Sequence, residues 1–127
     1  MKYVAVEGMT VVYTAELSGV PAGSAIVEAT LGAASTNVSE DGRGVYVDGL
    51  QHSASTWEIG PYVGAGLVVA NFESSASFVE VDGTPVLLEG DKVLFDVSAT
   101  NPATSDTQTF TITGTIVSAG QNTLTAD

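Results

Sequence analysis

Apolar and polar residues alternate one by one along several stretches of this chain, and the best-specified of them is residues 78–91, Phe-Val-Glu-Val-Asp-Gly-Thr-Pro-Val-Leu-Leu-Glu-Gly-Asp. Val79 and Val81 alternate with Glu80, the period of a strand with one buried face. Asp82-Gly83 follows, a dipeptide suited to a two-residue turn in which both residues need positive φ. Val86 and Leu88 resume the alternation on the return strand. A two-residue loop sets Val79 opposite Val86, so the apolar faces agree across a hairpin. Pro85 then falls opposite Glu80 in a non-hydrogen-bonded pair, where its missing N–H costs nothing. Gly90-Asp91 supplies the next turn.

The rest of the chain reads the same way. Residues 3–17 predict two short strands with a turn or bulge at Gly8. Residues 18–23 carry loop chemistry. Residues 24–34 fit either a short helix or a strand, and the surrounding strands favour the strand. Residues 39–44 predict a turn leading into Val45-Tyr46-Val47-Asp48-Gly49. That Val-x-Val-Asp-Gly recurs at Val79–Gly83, as a duplicated hairpin or as coincidence. Residues 51–56 are polar, and Trp57 and Ile59 precede a Gly60-Pro61 turn. Residues 63–71 predict a buried strand or tight loop. Val93, Phe95 and Val97 mark a strand, and residues 98–106 a surface loop turning at Asn101-Pro102. Residues 107–117 put Phe110, Ile112 and Ile116 on one face and five threonines on the other. Residues 118–127 predict a polar tail anchored by Leu124. The expectation is an all-β chain, one domain over 1–127, folded as a small compact sandwich, barrel or layered structure.

Composition narrows the function. The formal charge is −12, with Lys2, Arg43 and Lys92 the only bases, so nucleic-acid binding and docking on an anionic membrane are disfavoured. Charged residues make up 14%, well under the usual quarter, and mean hydropathy is +0.28. Such a surface suits a chain partly covered by a partner. No apolar stretch reaches the roughly 18–20 residues that span a bilayer, so no stable membrane insertion is expected. Met1-Lys2-Tyr3-Val4 alternates at once and offers no signal-peptide core, which predicts synthesis in the cytoplasm.

Catalytic and cofactor signals are weak. With no cysteine and one histidine, a structural zinc site lacks ligands. His52 lies among polar residues and reads as an ordinary surface histidine; no Gly-x-Ser-x-Gly elbow accompanies it. Glu40-Asp41-Gly42 lacks calcium-loop spacing and reads as a turn. Gly60 to Gly66 lacks the lysine and spacing of a phosphate loop. Trp57 with Tyr62 offers a sugar-stacking platform, against the commoner role of a packed tryptophan. No enzyme, cofactor or metal is expected.

Gly83-Thr84-Pro85-Val86-Leu87-Leu88-Glu89-Gly90-Asp91 resembles the Gly-x-Pro-Ala-Ala-Arg-x-Gly-Asp segment of PAAR and PAAR-like proteins. The match keeps Gly83, Pro85, Gly90 and Asp91, with Val79, Val81 and Asp82 on the preceding strand. The resemblance covers about fifteen residues. It implies a small β-rich cone that caps the trimeric spike of a contractile injection machine, one copy per trimer: a type VI secretion system, a contractile phage tail or a phage-tail-like particle. Its contact with the target membrane would be transient. Metal-bearing members use histidines and a cysteine, so the resemblance here implies a metal-free variant. The alternatives are a β-sandwich acting as a phage or virion decoration or tail protein, and a carbohydrate-binding module using Trp57 and Tyr62.

Overall fold

The computed structural model describes residues 2–40 and 42–126, and among them there are twelve strands and no helix. In chain order they are β1 (Lys2–Tyr3), β2 (Thr10–Leu17), β3 (Val20–Leu31), β4 (Ser39–Glu40), β5 (Arg43–Gly44), β6 (Gln51–Ile59), β7 (Tyr62–Asn71), β8 (Glu80–Val81), β9 (Thr84–Pro85), β10 (Lys92–Asn101), β11 (Asp106–Ser118) and β12 (Thr125–Ala126). Six long strands close a barrel in the order β10-β11-β2-β3-β6-β7. The six short ones form three small two-stranded sheets: β4 with β5 and β8 with β9 as hairpins, and β12 with β1 from the two ends of the described chain. The fold is therefore all-β, and the two-sheet sandwich is replaced by a closed barrel.

Alternation builds the barrel wall. On β10, Val93, Phe95, Val97 and Ala99 point inward while Leu94, Asp96 and Ser98 are exposed. On β11, Phe110, Ile112 and Ile116 are buried. The threonines between them form the outer face, as the sequence pattern requires. Closure pairs every barrel strand on both sides, so no long edge is left open to another chain.

Several loops expected from sequence are strands. Val20 already belongs to β3, and only Ser18 and Gly19, both at positive φ, turn the chain. Residues 98–101 continue β10, leaving a turn at 102–105. Residues 24–31 form a strand, as favoured. Residues 63–71 lie in β7 and are a strand but not the expected buried one, since Val63, Leu67 and Val69 face outward. Residues 51–56 belong to β6, where a register shift against β3 between Ala54 and Thr56 inserts an extra residue. His52 and Ala54 therefore point inward before the shift, and Trp57 and Ile59 after it. The inward set spans both phases of a two-residue period, which is why the segment looked like a polar loop. The expected surface role of His52 is overturned accordingly: it is fully buried.

The C-terminal segment is polar but folded back. Gln121 donates to the carbonyls of Val4 and Leu124, and its side-chain oxygen accepts from the N–H groups of Thr123 and Leu124. Ala126 then pairs with Lys2. Asp41, part of the expected 39–44 turn, lies outside the described residues.

Candidate functional site: a three-unit cap on the barrel

Three short segments cross one end of the barrel: Val4-Ala5-Val6-Glu7-Gly8, Val45-Tyr46-Val47-Asp48-Gly49 and Val86-Leu87-Leu88-Glu89-Gly90. Each runs three apolar residues and then turns at an acidic residue and a glycine, delivering the chain into a long barrel hairpin. They are evenly spaced, the interval from Val4 to Val45 equalling that from Val45 to Val86. Their backbones are joined in a closed ring. Tyr46 N–H donates to the Ala5 carbonyl at 3.0 Å, Leu87 to Tyr46 at 2.9 Å, and Ala5 to Leu87 at 2.8 Å. Isolated bridges repeat the same cycle, Val6 with Val45, Val47 with Val86, and Leu88 with Val4. A second cycle runs outside it. Glu7, Asp48 and Glu89 donate their N–H groups to the carbonyls of Gly44, Pro85 and Tyr3. The molecule thus has pseudo-threefold symmetry about an axis through this ring.

Side-chain alternation divides the ring into two layers. The central residues Ala5, Tyr46 and Leu87 join the barrel core and plug its end. The flanking Val4, Val6, Val45, Val86 and Leu88 face the other way, forming a second apolar cluster with Val81 and Ala126. Val81 of β8 and Ala126 of β12 tie two of the small strand pairs to this second cluster.

The sequence-predicted motif occupies one third of the cap. Asp82 and Gly83 have φ of 52° and 83°, so both are left-handed and the turn is the expected one. Glu80 pairs with Pro85, and Val86 N–H donates to the Val79 carbonyl at 3.1 Å. Val81 is buried, but Val79 is half-exposed and its side chain does not join the core. Gly90 donates to the Ile116 carbonyl at 2.7 Å. Asp91 is 5% exposed, and its carboxylate accepts from Leu88 N–H at 2.8 Å and from both the N–H and the hydroxyl of Ser75. It fastens the stretch before β8 to the turn after β9.

The apparent recurrence of Val45–Gly49 at Val79–Gly83 is a false register. Val79–Gly83 belongs to a small hairpin, whereas Val45–Gly49 belongs to the ring. The true counterparts of Val45–Gly49 are residues 4–8 and 86–90. The signal was present as Val-x-(Val or Leu)-acid-Gly, obscured because Leu88 replaces a valine and Glu replaces Asp twice.

The cap's electrostatics are acidic. Glu7 accepts from Gly44 N–H at 2.7 Å and Asp48 from Ser74 N–H at 2.6 Å. Burial, with the Glu7 carboxylate beside it, holds the Tyr46 phenol above its ordinary range. Arg43 donates to the Gly120 carbonyl at 2.5 Å beside an open depression lined by Glu40, Gln121 and Thr123. Among the described residues no group of three or more His, Cys, Asp or Glu is arranged to hold a metal. Trp57 is 4% exposed and donates its indole N–H to the Ser98 carbonyl at 2.9 Å. Tyr62 packs against Phe110 and donates its hydroxyl to Asp106. The two rings therefore do not form an open stacking platform. Comparison with protein-family models, with curated proteins and with solved structures finds no match to this chain.

Proposed function

We propose that the chain is a structural, non-catalytic tip that caps the trimeric spike of a contractile injection machine and helps to breach the target envelope. The observation that carries this reading is the closed ring Ala5–Leu87–Tyr46 and the pseudo-threefold arrangement it organises. A single chain seated on a threefold axis must meet three identical subunits at once. An asymmetric monomer satisfies one of them, whereas three pseudo-equivalent units offer each a comparable surface. The resemblance of residues 77–91 to PAAR-like proteins points the same way. So does the dense pairing of the barrel and cap, which suits a part that must transmit force without bending. With a charge of −12, a neutral or basic spike end is the complementary partner. In this role the protein would travel as a component of a phage tail or injection particle.

A second reading, a decoration or tail protein present in many copies, draws on the barrel wall, where Ile26, Leu67 and Leu94 are 60–76% exposed. Stoichiometry separates the two. Native mass spectrometry of the chain mixed with its candidate spike should give one copy per trimer. Saturation at three or more copies, or self-assembly of the isolated chain into arrays, would sink the tip reading.

A further inference from the structure

We propose that His52 is an acid-responsive weak point of the barrel: protonating its ring, which is buried without a counter-charge, loosens the closed wall below about pH 6.5. The inference rests on the barrel alone and does not depend on the spike reading.

His52 is fully buried. The Tyr13 hydroxyl lies 2.7 Å from Nε2, while Nδ1 is enclosed without a hydrogen-bond partner. The rings of Phe95 and Phe72 stand 5.1 and 5.9 Å away. An imidazolium carries two donors, and here one of them has nothing to meet. The facing groups offer no relief. β2 presents Tyr13, β3 pairs Leu31 with His52, β7 pairs Ala70 with it, and β10 presents Phe95. The inward residues of β11 are Phe110, Ile112, Gly114 and Ile116. Tyr13 alone of these titrates, and burial pushes it further up, away from neutrality. Among the described residues the buried polar or charged side chains are His52 and Asp91, and Asp91 is committed to the cap.

Burial lowers the pKa of His52 below its ordinary range; the opposing pull of its own main chain, too poorly placed to hydrogen-bond Nδ1, is the smaller effect. The unfolded chain therefore binds a proton near pH 6.5 that the folded barrel refuses. Stability is full above that pH and is lost as pH falls below it, toward the folded pKa. His52 is the chain's one imidazole, so replacing it isolates its share of the pH dependence.

His52 is the chain's one histidine, so its ring resonance in an NMR titration is unambiguous. In the folded protein the ring should titrate below the midpoint of a free histidine, about pH 6.5. Urea denaturation should show the unfolding constant rising from pH 7.5 to 5.5, by at most about tenfold. His52→Gln can still meet the Tyr13 hydroxyl but does not titrate, and should abolish that rise; His52→Phe serves if the glutamine variant fails to fold. A folded-state ring titrating at or above pH 6.5, or an unchanged pH dependence in the variants, overturns the proposal. Should neither variant fold, the ring titration alone decides.

Discussion

The backbone N–H of Tyr46 donates to the carbonyl of Ala5, a residue far from it in sequence, and their side chains point together into the end of the barrel. Leu87 completes the set. Three residues share one small volume near the axis, so the smallness of Ala5 matches the size of Tyr46 and Leu87. Ala5→Leu should overpack the plug and destabilise the protein by about 1–3 kcal/mol. Leu87→Ala should leave a cavity and cost about 2–5 kcal/mol. The double variant should recover part of both losses, giving a coupling of about 1 kcal/mol or more in denaturant melts. Strict additivity would mean that the two side chains do not compete for space.

Gly64 is fixed by contact rather than by conformation. A Cβ there would stand 2.1 Å from the Trp57 indole nitrogen and 2.6 Å from the Ser98 carbonyl, the two ends of one hydrogen bond. Gly64→Ala should break that bond and displace the ring, destabilising by roughly 2–4 kcal/mol. Trp57 is the sole tryptophan, so its fluorescence should shift in the folded variant.

Asp91 ties three donors from two segments into one buried carboxylate. Asp91→Ala strands the Leu88 and Ser75 N–H groups and should cost about 2–4 kcal/mol. Asp91→Asn retains one acceptor oxygen and should cost less. Hydrogen exchange should speed up first at Leu88 and Ser75, with the barrel strands following only at global unfolding.

At the far end of the barrel, the Tyr62 hydroxyl donates to Asp106 at 2.6 Å. That bond, with a further one from Gln108, holds the Asp106 carboxyl below the usual carboxylate range. Its stabilisation is present above about pH 4 and is lost as pH falls through the depressed folded pKa. Tyr62→Phe should move the Asp106 titration upward, toward an ordinary aspartate, as read by carboxyl-carbon NMR. An unmoved midpoint would assign the depression to Gln108 instead.

Much of this architecture is legible in the residues. The alternation at Val93–Val97 and at Phe110–Ile116 gives the buried faces correctly, because those strands carry no shift along their inward set. The Asp82-Gly83 turn is legible because few other dipeptides accept two positive φ values in succession. β6 is not legible, because its bulge changes phase in mid-strand and disguises His52 as a polar-loop residue. The ring is hidden for a different reason. Val4, Val45 and Val86 make single bridges instead of ladders, so no local periodicity announces that distant segments meet. The cap's third strand pair is equally silent, since β1 and β12 lie far apart in the sequence and no turn joins them.

That third pair orders events during synthesis. Of the described strands β1 is made first, and its partner β12 is made last. The first two hairpins of the cap can form while the chain is still emerging, but the circle of backbone bonds stays open until Leu87 arrives. The seam between β1 and β12 closes only after every barrel strand has left the ribosome. Joining β12 to β1 through a short linker and cutting at the Asp82-Gly83 turn would move that last step elsewhere while keeping the same set of neighbours. What would change is the schedule of assembly.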